Sequence, residues 1–340
     1  MIGHNSSSKG INGRRRCLQV LAAMALPSCS SQSELAHWRL LYQGLEFQLK
    51  TRSLDGQEKV YADWQFTSVK YPEARQLDVI GSSQSGEAVH IRRIESQTWS
   101  KPSLLLIYDL STGLLATREL PLISVIETLT GVPGIGIVAA GTLTSPENGS
   151  IRRGIFFTTS LDPQAEWQPG FSGGGEANLD ARDLMRRLWA TGEPGVVVYS
   201  FQKNIYRHRL LERKRERIGS GDFASVSHDG RSISFLDAEQ NIQLTEFPSM
   251  KHRHTFAGPF RDGIVWAPHC TVGLVATPGT VSFGDVLVDS LWLVDAGRLD
   301  LRRLGAHRRQ VGSSVLRWTG GSEAAIARLT DLAAIAEKYH

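Results

Sequence analysis

The sequence predicts an all-β fold, a β-propeller of six or, alternatively, seven four-stranded blades, and three observations carry that prediction. Apolar and polar residues alternate over short runs through the chain after residue 38, the period of a strand with one buried face. Gly, Asn, Asp or Pro interrupts those runs at short intervals, as in a protein of many hairpins. The third observation is recurrence. Turns at 86, 134, 195, 230, 270 and 321 are spaced by 48, 61, 35, 40 and 51 residues, and a period of roughly 40–50 residues with four strands is blade length. One small twisted sheet cannot cover both of its faces, whereas radial packing against two neighbours covers both. A pair of β-sandwiches and an irregular β-solenoid are the alternatives.

The elements follow in order. "LEFQLKTRSLDGQE" (45–58) and "SLLLIYDLSTG" (103–113) each read as a third strand running into an acidic turn. "LDVIGSSQSGEAVHI" (77–91) is a hairpin, and "IGIVAAGTLTSPENGSIRRGIFFTTS" (135–160) is another with a Pro-Glu-Asn-Gly turn. "GVVVYSFQKNIYRHRLLE" (195–212) predicts a strand from Val196 to Phe201, a turn at 202–204, and a strand from Ile205 to Leu210. "SVSHDGRSISFLDAEQNIQLTEF" (225–247) continues strand, turn, strand, with Gly230 supplying a positive φ, and adds a third strand from Ile242. "IVWAPHCTVGLVA" (264–276) and "VLRWTGGSEAAIA" (315–327) share a plan of apolar strand, Trp, turn, apolar strand. The final unit is short of strands and the first has strands to spare, so N-terminal strands are expected to complete the C-terminal blade. One stretch breaks the pattern: in "GFSGGGEANLDARDLMRRLWATG" (170–192) a helix is expected from Asn178 to Trp189, with Leu184, Met185 and Leu188 on one face.

"VSHDGRSISFLD", "WAPHC" and "LWLVD" together resemble the TolB-type, WD-like propeller repeat, whose signature is a Ser-Pro-Asp-Gly turn, an apolar strand, and a Trp-containing strand ending in Asp. Here Ser227-His228 stands in place of Ser-Pro, and only this copy keeps Asp-Gly. The resemblance spans about residues 40–335 and implies the architecture and a platform for binding another envelope protein. It transfers no binding residue, because the matching motif is a structural turn.

The N-terminus has a different grammar. "MIGHNSSSKGINGRRRCLQVLAAMALPSCSSQSE" places Arg14, Arg15 and Arg16 before an apolar run from Cys17 to Leu26 and a polar tail, the layout of a signal peptide. Leu26-Pro27-Ser28-Cys29 resembles a bacterial lipobox. That resemblance implies that Cys29 is lipidated and becomes the mature N-terminus, dividing the chain into a signal peptide (1–28), a linker (29–37) and one propeller domain (38–340). Ser30 stands where an Asp would imply inner-membrane retention, which implies the periplasmic side of the outer membrane, with a soluble periplasmic protein as the alternative. Arg14-Arg15 also resembles a twin-arginine signal, and an ordinary basic n-region explains the pair equally well.

Composition bounds the chemistry. A net charge of +4 on 340 residues is too small and too dispersed to indicate nucleic acid. Three cysteines, two of them in the first 30 residues, make no disulfide framework, and no cofactor is expected. "GSSQSG" (81–86) has Ser85 where a nucleophile elbow needs its second Gly, so it reads as a hairpin turn. His252 and His254 are two apart on one predicted strand and hence on one face; His228 and His269 occupy equivalent turns of adjacent blades, where convergence at a channel end would let them share a ligand or metal. Solvated turn histidines are the plain alternative. The run with Arg207, Arg209, Arg213, Lys214, Arg215 and Arg217 reads as an outer strand that faces water and blunts a sheet edge, or as a patch for an anionic partner. "ENGS" places Asn148 in a turn. The functional expectation is a non-enzymatic binding platform in the bacterial cell envelope. Its rival is a propeller enzyme on saccharides, lactones or peptides, with polar residues converging from several blades at one end of the channel.

Overall fold

The computed structural model describes residues 39–43, 49–55, 57–62, 76–82, 88–94, 103–109, 115–120, 123–144, 151–158, 168–170, 188–267, 271–282, 286–310 and 317–319. The leader, Cys29, Asn148, the serines of 83–85 and His269 lie outside these residues, and so do the expectations attached to them.

Among the described residues, 24 strands form six four-stranded antiparallel sheets. β1 (Arg39–Gln43), β2 (Leu49–Ser53) and β3 (Glu58–Ala62) belong to the closing sheet, described below. Sheet I holds β4 (Gln76–Ser82), β5 (Ala88–Ile94), β6 (Ser103–Asp109) and β7 (Leu115–Leu120). Sheet II holds β8 (Ile123–Val132), β9 (Gly136–Thr144), β10 (Ile151–Thr158) and the short β11 (Gln168–Pro169). Sheet III holds β12 (Trp189–Ala190), β13 (Val196–Phe201), β14 (Asn204–Arg209) and β15 (Lys214–Ser220); sheet IV holds β16 (Asp222–Val226), β17 (Ser232–Leu236), β18 (Ile242–Glu246) and β19 (His252–Phe256). Sheet V holds β20 (Val265–Trp266), β21 (Val272–Ser282), β22 (Val286–Asp295) and β23 (Asp300–Gln310). The last strand, β24 (Arg317–Thr319), pairs with β1, so three N-terminal strands and one C-terminal strand share the closing sheet.

The first strands adjoin one another in a closed cycle, β4 to β8, β12, β16, β20, β24 and back to β4. A closed cycle of sheets, five wound outward in chain order and the sixth completed by β24 inside β1, is a β-propeller. No seventh sheet occurs among the described residues. The expected helix is corrected at its end: Leu188 is buried between sheets, and Trp189–Ala190 is the innermost strand of sheet III. The residues from 171 to 187 lie outside those described. A large indole gains more from the crowded centre of the ring than from a helix surface, and tertiary burial overrides the helical period.

Among the described residues, four apolar clusters lie in the seams between consecutive sheets. Val138, Ile155, Phe157, Val197, Tyr199 and Leu210 fill the seam between sheets II and III. Ile205, Ala224, Ile233 and Phe247 fill the next; Leu244, Phe256, Phe260, Trp266, Val275 and Val294 follow between sheets IV and V. Leu40, Leu274, Leu291, Leu293 and Trp318 join sheet V to the closing sheet. Alternate residues of each middle strand supply opposite seams, which is why β13 is buried along its whole length. The Trp residues of the sequence cassettes are seam latches. Trp266 on β20 donates its indole N–H to Ser225 Oγ of sheet IV at 3.1 Å, and Ser225 in turn shares a 2.8 Å hydrogen bond with Ser234. Trp318 on β24 donates to the Val265 carbonyl of sheet V at 2.8 Å.

Candidate functional site

The turns that join the first and second strands of sheets II, III and IV lie side by side at one end of the ring. The Gly195 N–H donates to the Pro133 carbonyl at 2.8 Å, tying the turn of sheet III to that of sheet II. Gly134, at φ +75°, packs so closely on this neighbour that an added Cβ would sit 2.8 Å from Pro194 Cβ. A Cβ on Gly230, at φ +69°, would lie 3.4 Å from the Gly192 nitrogen. Gly134, Gly192, Pro194, Asp229 and Arg231 are exposed there, so three sheets present one continuous face of backbone and charged tips.

His228 and Asp229 sit in that face. Asp229 Oδ1 accepts from Ser227 Oγ at 2.6 Å and from the Arg231 N–H at 3.1 Å, while Ser227 Oγ accepts from the Ser232 N–H at 3.0 Å. Asp229 therefore closes its own turn. The same device recurs where Asp237 accepts from the N–H groups of Glu239 and Asn241, and where Asp295 accepts from those of Gly297 and Arg298. At these turns the carboxylates are Asx-type caps. His228 is half-buried, and its proposed partner His269 is not among the described residues.

The expectation for His252 and His254 is corrected by a β-bulge. His252 stands opposite Thr245 and His254 opposite Leu244, so Arg253 is the extra residue of β19. Thr245 and Leu244 are adjacent on β18 and point to opposite faces, which separates the two histidines. His252 bonds Thr255 at 2.9 Å, and His254 meets Phe256 edge-on with ring centroids 4.6 Å apart.

The basic run is likewise divided. Arg207 and Arg209 lie on β14, the third strand, and only Lys214, Arg215 and Arg217 lie on the outer strand β15, with Arg213 in the turn between. Arg207 is largely buried and holds both oxygens of Glu193 at 2.5 and 2.6 Å, beside the Phe247 ring. It therefore serves the seam rather than an anionic partner. Arg215 stacks over Tyr206 at 4.6 Å, and Arg217 donates to Ser220 Oγ at 2.7 Å, both from exposed positions.

Two titratable groups that the sequence reading did not single out as sites are fully buried in seams. His208, on β14, lies against Gly170 of sheet II and near the Tyr199 ring. Burial pushes its pKa down to about 4; a hydrogen bond involving Gly170 opposes that, and Arg215 adds to it. His307, on β23, faces the closing sheet. Burial again lowers its pKa to about 4, assisted by Arg52 and opposed by Glu58. Arg52 donates to the neighbouring Ala306 carbonyl at 2.6 Å, and Asp289 stands opposite His307 across the strand pair. Burial raises the Asp289 carboxyl, against the pull of Arg261 at 3.3 Å and the Gly279 N–H at 3.1 Å. Strand parity was the available signal. Asp289 shares the parity of Leu291 and Leu293, which marks it as inward-facing.

No protein-family model matches the chain, and no curated protein matches it. Among solved structures it is similar to one described as a TolB from Agrobacterium tumefaciens, with 12% identity, 80% of this chain and 90% of that chain covered, and a TM-score of 0.48. It is also similar to the Cps50 (Swd1) β-propeller domain of Myceliophteria thermophila, with 13% identity, 76% and 83% covered, and a TM-score of 0.40.

Proposed function

We propose that this chain is an exported, lipid-anchored β-propeller that serves as a protein-binding platform in the bacterial cell envelope, on the periplasmic side of the outer membrane. The observation that carries the platform is the knitted face: the turns of sheets II and III are hydrogen-bonded, the turn of sheet IV packs beside that of sheet III, and Gly134, Gly192, Pro194, Asp229 and Arg231 are left exposed on a shared surface. Such a face is broad and preorganised, so a partner docks without the entropy cost of ordering loops. Apolar and backbone-rich patches rimmed by charge suit protein recognition better than enclosure of a small substrate. The address rests on the leader and on Cys29 within Leu26-Pro27-Ser28-Cys29.

The test is crosslinking and affinity capture from native membranes, comparing the unaltered chain with a Pro194→Arg/Asp229→Arg variant of the face. A partner recovered with the first and lost with the second is expected. Equal recovery with both, or hydrolytic turnover of a saccharide, lactone or peptide panel that the variant leaves intact, overturns the platform. For the address, Cys29→Ala is expected to move the chain from the membrane fraction to the soluble fraction; continued membrane fractionation counts against the lipid anchor.

A further inference from the structure

The outer circumference of the ring is electrostatically lopsided. The outermost strands of the consecutive sheets III, IV and V, namely β15, β19 and β23, contain eight Lys or Arg residues (Lys214, Arg215, Arg217, Arg253, Arg302, Arg303, Arg308, Arg309) against two acids, Glu216 and Asp300. Their net +6 exceeds the +4 of the whole chain. The outermost strands of the other three sheets are neutral: β3 and β7 carry one cation and one anion each, and β11 carries no charge. Protection of a sheet edge calls for charge of either sign on every outer strand. It does not call for one sign on three neighbouring strands. Seven of these cations, Lys214, Arg215, Arg217, Arg253, Arg302, Arg303 and Arg308, are exposed. The set is mostly arginine, whose fork matches phosphate oxygens in pairs.

The apolar exposure falls in the same place. Among the described residues the exposed large hydrophobic side chains are Leu211, at 61%, and Leu299, at 39%. Each lies in the hairpin that leads into a basic outer strand, Leu211 before β15 and Leu299 before β23. Third-to-fourth-strand hairpins open at the same end of a propeller as first-to-second-strand turns, so both leucines project at the outer edge of the end that carries the knitted turns, on the basic half. Leu299 also holds a φ of +57°, a conformation that Gly or Asn adopts more readily. The turn itself gains nothing from leucine.

We propose that this half of the rim docks on an anionic phospholipid surface, with the basic outer strands meeting headgroup phosphates and Leu211 and Leu299 entering the interfacial layer. Cations beside exposed leucines fit a bilayer interface, which offers negative charge and apolar depth together. A soluble polyanion offers the charge alone. β1, at Arg39–Gln43, belongs to the closing sheet, which adjoins sheet V of the basic half.

The test is amide hydrogen exchange of the full chain carrying Cys29→Ala, with vesicles of phosphatidylglycerol and phosphatidylethanolamine or of phosphatidylcholine alone. A readout confined to residues 210–213 and 296–299 is independent of how the leader behaves. Exchange there is expected to slow on the anionic vesicles only, and the protection is expected to fade in high salt. Arg302→Glu/Arg303→Glu/Arg308→Glu is expected to weaken vesicle binding roughly a hundredfold or more, since each basic residue near the surface adds to the attraction. Leu211→Asn/Leu299→Asn, whose asparagines suit the turns, is expected to weaken it several-fold at an unchanged thermal midpoint. Lys59→Glu/Arg118→Glu on the neutral half should leave it unchanged. Unprotected tips on anionic vesicles, equal loss from the neutral-half variant, or equal protection by dextran sulfate without vesicles would overturn the proposal, the last in favour of a soluble polyanion.

Discussion

The seam between sheets II and III and the seam that closes the ring bury similar groups by different means. Each contains a histidine with its pKa lowered to about 4 by burial. In the II–III seam, His208 sits beside stacked Tyr199 and Tyr206 within a large apolar cluster, and the turns of the two sheets are tied backbone to backbone. At closure, the connection between sheet V and the closing sheet includes two side-chain donors aimed at carbonyls, Trp318 to Val265 and Arg52 to Ala306. A seam between consecutive sheets inherits proximity from the chain. At closure the N-terminal strands have no such inheritance: β1 pairs with β24, and Arg52 reaches Ala306, across more than 250 residues, so directional bonds specify the contact as well as burial.

The largest expected effect breaks the closing seam. Trp318→Ala removes a buried indole and its hydrogen bond, and a loss of about 3–5 kcal/mol is expected by urea denaturation. Exchange of the β1–β3 amides should rise with it. Leu188→Ala, in the II–III seam, is expected to cost about 2–5 kcal/mol without exposing those amides. If both variants open the closing sheet equally, the two seams do not differ as described.

Acid tests what the seams share. A histidine held neutral in the fold and free to protonate when unfolded contributes stability that is fully present above pH 6.5. That contribution is lost as pH falls from 6.5 toward about 4, where the folded protein also takes up the proton. Each group contributes on the order of 3 kcal/mol over that window. His208→Gln and His307→Gln should each flatten the slope in urea midpoints between pH 4.5 and 7. Arg52→Met then separates the seams. It leaves the Ala306 carbonyl without its donor, at a cost of about 1–3 kcal/mol. It also removes the cation that helps depress His307, so the acid-dependent loss at closure shrinks while that of His208 is untouched.

Much of this architecture was legible because hairpin chemistry is local. Val196–Phe201 and Ser232–Leu236 coincide with the runs read from alternation, and the turn after Phe201 is a two-residue one with Gln202 and Lys203 both at positive φ. The sharing of a sheet by both ends of the chain was legible too, from strands in surplus at one end and deficit at the other. Side-chain destinations were less so. The run from Arg207 to Arg217 looks like one basic strand, yet a turn at 210–213 folds it across two, and Arg207 goes to Glu193 in a seam. A bulge at Arg253 turned two histidines apart, and no pattern of residue types announces a bulge. Trp189 was assigned to a helix by a period that its short inner strand is too small to contradict.

The smallest effects distinguish the turns of the knitted face. Gly134 and Gly230 hold nearly the same φ, +75° and +69°, so alanine pays a similar left-handed backbone penalty at both, roughly 1 kcal/mol. The surroundings differ. At Gly134 the new methyl would meet Pro194 Cβ at 2.8 Å, a contact between two stiff backbones already joined by the Gly195–Pro133 hydrogen bond, and one of them has to move. At Gly230 the methyl would approach the Gly192 nitrogen at 3.4 Å, an ordinary contact. Gly134→Ala is therefore expected to cost about 2 kcal/mol and Gly230→Ala about 1 kcal/mol in thermal or urea unfolding. Equal costs would mean that the turn of sheet II rests loosely on that of sheet III. A larger cost at Gly134 would mean that the turns of sheets II and III move as one, and a platform that binds without rearranging depends on that rigidity.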